Sequence, residues 1–339
     1  MKKLGVALIG CGGIGRIHAQ SIRDSRYTIP KVSCDIVREK ARQIQVEYGF
    51  ETYTTDYEEV AKRDDVDVVI VAIPPRYHAE VSIKLLESGK HVLCEKPIAT
   101  NLKDAWEMIT KAQKSGVKLC IDYQNRYLPS YSKLKEIISS GILGEIIQIR
   151  ARVAYSILHT IKPTDSMLRW LFNPGISGGG VLMDIGTHWT DLVRWLVNKD
   201  YVGIYALIGH FNPNIPNTIE DTATILARMT DDIQAIIDVS WATIGSKWPI
   251  EVYGDKGTAI ADFPGRLEIY DAKKGEWEKI KVKPSLEPHF KLLNLFLRSI
   301  INDEEPPVTD IDAYKSLEAI IAAYESAKTR REVLLSILD

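Results

Sequence analysis

Lys3-Leu4-Gly5-Val6-Ala7-Leu8-Ile9 runs directly into Gly10-Cys11-Gly12-Gly13-Ile14-Gly15, and a helical pattern from Ile14 to Ile22 follows. The first run is largely apolar and β-prone, which reads as a buried strand. The glycines then fall as G-x-G-x-x-G after a strand and at the opening of a helix, the context that gives this spacing its chemical meaning. Gly10 permits the tight turn, Gly12 lets backbone approach a pyrophosphate, and Gly15 lets the helix lie close to the strand. Gly13 and Ile14 open the helix, whose unpaired N–H groups favour a phosphate. Asp35 ends the second strand (about Lys31 to Cys34), twenty residues beyond Gly15. A carboxylate there accepts the ribose hydroxyls of NAD and repels a 2′-phosphate. Arg38 is near enough in sequence to reach such a phosphate, so NAD is expected first and NADP stays open.

Strand and helix patterns continue to alternate. Glu39 to Tyr48 is helical with Gly49 as its cap, Asp56 to Lys62 is a short helix, and Val66 to Ile73 is the unbroken apolar run of a central parallel strand. Helices over Tyr77 to Glu87 and Leu102 to Lys114 flank strands at Val92 to Cys94 and Val117 to Ile121. Repeated β-α-β units predict a doubly wound parallel sheet, a dinucleotide-binding domain over 1–124. Ile73, Pro74 and His78 fall on the loop bordering the cofactor crevice, with His78 expected as a cofactor neighbour or a helix-start residue. The last strand but one leads into Glu95-Lys96-Pro97. Pro97 keeps Lys96 out of helical backbone, and a lysine at the carboxyl end of a parallel strand lies where such sheets bind ligands. Glu95 is expected to anchor the cofactor or Lys96. The alternative is a solvated Glu-Lys pair.

Beyond Asn125 the character changes. A helix over Leu128 to Ser140 precedes seven strand-like runs between Glu145 and Tyr270 with no helices among most of them. This predicts a second domain over 125–339, an open, largely antiparallel sheet with helices on one face, closed by helices at Pro288 to Ile301 and Ile311 to Lys328. Gly178-Gly179-Gly180 introduces an apolar segment that carries Asp184, His188 and Asp191. Read as one helix, it puts Asp184 and His188 on one face. The glycines would let its start approach the nicotinamide. An Asp-His surface pair is the plainer reading.

Composition narrows the classes. The net charge of −2 and the absence of a basic stripe argue against nucleic acid. No apolar run is long enough to cross a bilayer. The first strand follows Met1-Lys2 at once, leaving no room for a signal peptide, and the four scattered cysteines suit a reducing cytoplasm. They lack metal-ligand spacing, and no metal is expected.

Taken together, the sequence resembles the glucose-fructose oxidoreductase / inositol dehydrogenase / MocA-like family over essentially its whole length. The marks are the glycine motif, Asp35, Ile73-Pro74-Pro75 with His78, Glu95-Lys96-Pro97, Gly141-x-x-Gly144-Glu145, the triple glycine with Asp184 and His188, and Tyr253-Gly254-Asp255-Lys256-Gly257. The resemblance implies NAD(P)-dependent oxidation or reduction of sugars and cyclitols, and a homodimer or homotetramer built through the second sheet. It implies that Lys96 matches the catalytic lysine, with Asp184 and His188 as acid-base partners. Many relatives carry Trp-Arg before the triple glycine; here Trp170 is followed by Leu171, so no particular substrate is carried over.

Arg126, Arg152, Tyr155, His159 and Trp170 are candidates for the substrate pocket, since a polyhydroxylated ligand needs hydrogen-bonding groups and an aromatic platform. Without a basic cluster for phosphate, an unphosphorylated sugar or cyclitol is preferred. Two rival readings stay open: an enzyme that retains NAD through a sugar-sugar or lyase-type cycle, and a non-catalytic sugar sensor.

Overall fold

The structure, a computed structural model, describes residues 2–160, 166–263, 265–283 and 287–336. Its contacts divide it into two compact units, one drawing on 1–124 and 287–314 and the other on 125–286 and 315–339.

In the first unit, strands and helices alternate: β1 (Leu4–Ile9), α1 (Gly13–Asp24), β2 (Thr28–Cys34), α2 (Arg38–Tyr48), β3 (Thr52–Thr54), α3 (Tyr57–Ala61), β4 (Val68–Val71), α4 (His78–Glu87), β5 (His91–Cys94), α5 (Leu102–Ser115) and β6 (Leu119–Ile121). All six strands run parallel, in the order β3-β2-β1-β4-β5-β6. β1 and β4 are buried at every residue, which is why they read as unbroken apolar runs. The strand order reverses between them. That reversal opens a crevice at the carboxyl ends of the strands, where Gly10, Ile73 and Pro74 lie.

The second unit begins with α6 (Pro129–Ser139) and β7 (Ile146–Ser156), then the short helices α7 (Ile157–Thr160), α8 (Ser166–Leu171) and α9 (Pro174–Ser177), and then α10 (Thr187–Val197). Strands follow at β8 (Tyr201–Gly209), β9 (Thr222–Met229), β10 (Gln234–Ser240), β11 (Ala242–Lys247), β12 (Ile250–Gly254), β13 (Gly257–Asp262), β14 (Arg266–Asp271) and β15 (Glu276–Lys279). After α11 (Pro288–Asn302) and α12 (Asp310–Thr329), β16 (Val333–Leu334) joins the sheet. Its order is β15-β14-β13-β12-β7-β10-β9-β8-β16, with β11 also on β7. Every pairing is antiparallel except β7 with β10. α10 packs on β7 and β10, and α6 on β13 and β14. Along β7 the residues Ile149, Ala151 and Val153 are buried, while Arg150 and Arg152 are exposed on the other face.

Two expectations need correction. A second domain running unbroken from 125 to 339 does not describe the packing, because α11 returns to the first unit. Leu292, Leu293, Phe296 and Leu297 are buried, the helix packs on α1, and Ser25 Oγ donates to Asn294 Oδ1 at 2.8 Å. The segment after the triple glycine is also not one α-helix. Leu182–Gly186 forms a turn of π-helix before α10 begins at Thr187. A π turn holds more residues than an α turn, so each residue rotates less about the axis and residues four apart across the join fall closer to one line.

Candidate active site

The glycine motif in the first unit is built from close backbone approaches. Gly10 has φ +98°, and a Cβ there would sit 2.1 Å from the Ala72 carbonyl oxygen; one on Gly15 would sit 2.0 Å from the Gly10 carbonyl oxygen. Gly12 differs, because a Cβ there meets nothing within 4 Å. It precedes α1 with no side-chain cap on that helix. This open backbone surface at a helix start is what a pyrophosphate requires. Asp35 is fixed beside it: Cys11 N–H donates to Oδ2 and Val37 N–H to Oδ1, both at 2.8 Å. Arg38 is exposed and lies over the Tyr53 ring, 5.7 Å from its centroid. These residues fit a dinucleotide, whose nicotinamide supplies a hydride acceptor when bound.

His78 is the first residue of α4, the helix-start role that was one of the two expected for it. It is completely buried, and its two ring nitrogens lie 2.7 Å from the Pro97 carbonyl oxygen and 2.8 Å from that of Ile73. Burial pushes its pKa below the ordinary value while the two carbonyls pull the other way. Through these contacts His78 bridges the Ile73 and Pro97 loops. Lys96, half-buried, sits between Glu95 and Pro97 on one of those loops, preceding a cis peptide bond. Glu95 Oε1 contacts His18 Nε2 at 2.8 Å. Burial opposes its ionisation, but the His18 bond holds its pKa below the usual carboxylate range.

In the second unit, Asp184 lies within the π turn and His188 in the first turn of α10. Their neighbours Val181, Leu182, Met183, Trp189, Leu192 and Val193 are buried, as is His188, while Asp184 is half-buried. Tyr155, at the end of β7, belongs to this group. Burial, and after it the Asp184 carboxylate, pushes its hydroxyl pKa up, and the Trp241 indole donates to that hydroxyl at 3.2 Å.

Residues 4–123 match the family described as oxidoreductases with an NAD-binding Rossmann fold, and 131–260 match the GFO/IDH/MocA C-terminal domain. The chain belongs to the GFO/IDH/MocA oxidoreductase family. It is 25% identical to the myo-inositol 2-dehydrogenase of Thermotoga maritima, across 97% of this chain and 98% of that protein. To the levoglucosan dehydrogenase of Pseudarthrobacter phenanthrenivorans it is 30% identical, over 64% of this chain and 56% of the relative. An oxidoreductase domain protein from Kribbella flavida shares the fold with a TM-score of 0.91 at 25% identity, covering 99% of this chain and 100% of that one. Levoglucosan dehydrogenase in complex with NADH and levoglucosan gives 0.90 at 22%, covering 98% and 99%, a likeness of fold.

This GFO/IDH/MocA oxidoreductase therefore has an NAD-binding Rossmann domain. The other residues expected in its substrate pocket stand in varied surroundings. Arg126 is buried and grips Asp191, with Nε to Oδ2 at 2.8 Å and Nη2 to Oδ1 at 2.5 Å. Arg152 shares a cross-strand row with Asp238, Thr224 and Leu207, on the face opposite α10. His159 is exposed at the end of α7. Trp170 is half-buried in α8, next to a segment outside the described residues.

The triple glycine also serves a different purpose from cofactor approach. A Cβ on Gly179 would lie 2.0 Å from Tyr324 Oη, and one on Gly180 2.0 Å from the Glu220 carbonyl oxygen. Glu220 Oε1 accepts from Gly180 N–H and Leu182 N–H, both at 3.0 Å, and from Tyr324 Oη at 2.8 Å. Glu220 thus caps the helix start from within the unit. No motif singled out Glu220, Tyr324 or Trp241; each is one polar or aromatic residue in an ordinary strand or helix pattern. The buried thiols of Cys11, Cys34 and Cys94 have pKa values pushed up, Cys34 to about 12, chiefly by desolvation.

Proposed function

We propose that this oxidoreductase oxidises a hydroxyl of an unphosphorylated sugar or cyclitol, with NAD as hydride acceptor. The observation that carries the reading is the Asp184-His188 pair, one helical turn apart in an otherwise apolar, buried segment. Alcohol oxidation needs a base for the hydroxyl proton. A histidine, with an ordinary pKa of about 6.5, is suited to take it near neutrality. Asp184 orients the imidazole or binds a neighbouring hydroxyl, and Lys96 hydrogen-bonds the reacting oxygen as negative charge develops on it. Tyr155 adds a hydroxyl and a ring edge beside Asp184.

The relatives named for inositol and levoglucosan support a polyol substrate, and the absence of a basic cluster in the sequence favours one without phosphate. The paired backbone N–H donors that aim Asp35 favour NAD over NADP. The open face of the second sheet supports self-association, and the free cysteines a reducing, cytoplasmic setting. Tyr205, Leu226 and Ile236 share one cross-strand row and Leu207 lies on the next; Leu207 is 63% exposed and Leu226 47%.

The test is NADH formation, measured by absorbance, over aldoses, inositols and anhydro-sugars with NAD and NADP in parallel. Turnover with one class establishes the dehydrogenase and names its substrate. Silence across the panel while NAD binds would sink the reading.

A further inference from the structure

Four residues far apart in sequence converge in the first unit. His18 comes from the middle of α1, Glu95 from the end of β5, Asp122 from the end of β6 and His289 from the first turn of α11. His18 Nε2 lies 2.8 Å from Glu95 Oε1 and 3.3 Å from Asp122 Oδ2. His289 Nδ1 lies 2.7 Å from the same Asp122 oxygen. All four potential ligand atoms fall within 4.8 Å of one another. His18 and Asp122 are fully buried, and the two imidazoles meet edge to face with ring centroids 5.3 Å apart. The second Asp122 oxygen, Oδ1, has no hydrogen-bond partner among the described residues.

We infer that His18, Glu95, Asp122 and His289 form a structural zinc site that ties α11 to α1 and to the ends of β5 and β6. Two imidazoles and two carboxylates are a donor set that suits Zn²⁺. Tetrahedral bonds of about 2.0–2.2 Å place donor atoms about 3.3 Å apart, so side-chain shifts of about an ångström convert the cluster into a coordination shell. The charge also balances: two carboxylates neutralise one divalent cation, and each imidazole binds through a neutral nitrogen, releasing any extra proton to solvent. Asp122 is the pivot, since one of its oxygens already faces both histidines and the other has no partner. The site adjoins Lys96 through Glu95 but uses none of the residues given a role in the hydride chemistry proposed above. Its effect is on how the first unit is held together, because it joins residues 18 and 289 across the second unit's sequence.

The test uses the full chain, stripped with a chelator and passed through gel filtration. Zinc alone is then added, and bound metal per chain is counted after a second filtration. The expected result is one equivalent, a higher thermal midpoint, and, with Co²⁺ in place of Zn²⁺, the intense visible bands of a four-coordinate ion. Asp122→Asn and His289→Gln, each checked for folding by circular dichroism, should weaken binding about a hundredfold or more. Wild-type chain that retains no metal overturns the inference. So does a Co²⁺ spectrum that folded Asp122→Asn protein reproduces. Should both variants fail to fold, the wild-type stoichiometry and spectrum decide alone.

Discussion

Removing either partner of the Arg126–Asp191 pair should unfold the second unit far more readily, whereas removing both should not. The side chains are 3% and 1% exposed and joined by two hydrogen bonds, so neither charge has solvent to fall back on. Arg126→Met takes two charge-assisted hydrogen bonds from a carboxylate that stays buried. Breaking one side of a buried ion pair costs about 3–5 kcal/mol, while an apolar pair of similar volume is often neutral. With a urea slope of about 2–3 kcal/mol/M for a unit of this size, the midpoint should fall by about 1–2.5 M. Arg126→Met combined with Asp191→Leu should recover most of that loss. Tryptophan fluorescence is the probe, since every tryptophan except Trp106 belongs to the second unit and Trp195 lies under the Arg126 guanidinium. Equal midpoints for wild type and Arg126→Met would refute the argument. A folded double variant with normal cofactor binding but a greatly raised sugar KM would return Arg126 to the substrate pocket.

Three further outcomes follow from the site. His188→Ala should lower kcat by about 10²–10⁴-fold with NAD affinity nearly unchanged, as steady-state kinetics and NAD titration would show; an active variant removes histidine from the base role. Gly12→Ala should keep its thermal midpoint and lose NAD affinity, because its Cβ enters open space, whereas Gly180→Ala should be strongly destabilised, its Cβ 2.0 Å from a backbone oxygen. The reverse pattern in paired melting and binding experiments would contradict both assignments. Burial raises the Glu220 pKa above its ordinary value, against the Tyr324 and backbone hydrogen bonds. The folded state therefore holds a proton that the unfolded chain, titrating near 4.3, has released. Raising pH through that window costs stability, so the midpoint difference between wild type and Glu220→Gln should move in favour of wild type as pH falls. A difference independent of pH would show that Glu220 titrates alike in both states.

The sequence was most legible where one residue type answers to one backbone demand. Gly10 and Gly15 could be read because only glycine permits those approaches, and Asp35 because its spacing from them is set by one β-α-β unit. The burial of His188 and partial burial of Asp184 were legible because both interrupt an apolar segment, while their chemistry is a proposal. Arg126 and Arg152 were opaque, since a lone arginine carries no spacing that tells a ligand contact from an internal ion pair or a solvated face. The π turn was equally hidden: it arises from how Gly179 and Gly180 fit against Tyr324 and Glu220, over a hundred and forty positions apart in the case of Gly179 and Tyr324. Asp122 and His289 escaped notice for the same cause, being brought together by a helix that returns from far along the chain.

That returning helix constrains how the protein can be made. The six strands of the first unit are translated before the second unit, but α11, which covers α1 and reaches Asp122, follows only once residue 302 has been added. The Rossmann sheet can pair its six strands early, yet it must wait through the translation of strands β7 to β15 before its outer layer is complete. A fragment ending at residue 124 would expose the apolar surface that α11 covers. The nascent chain carries that same exposed surface, and with it a period in which chaperones have something to hold.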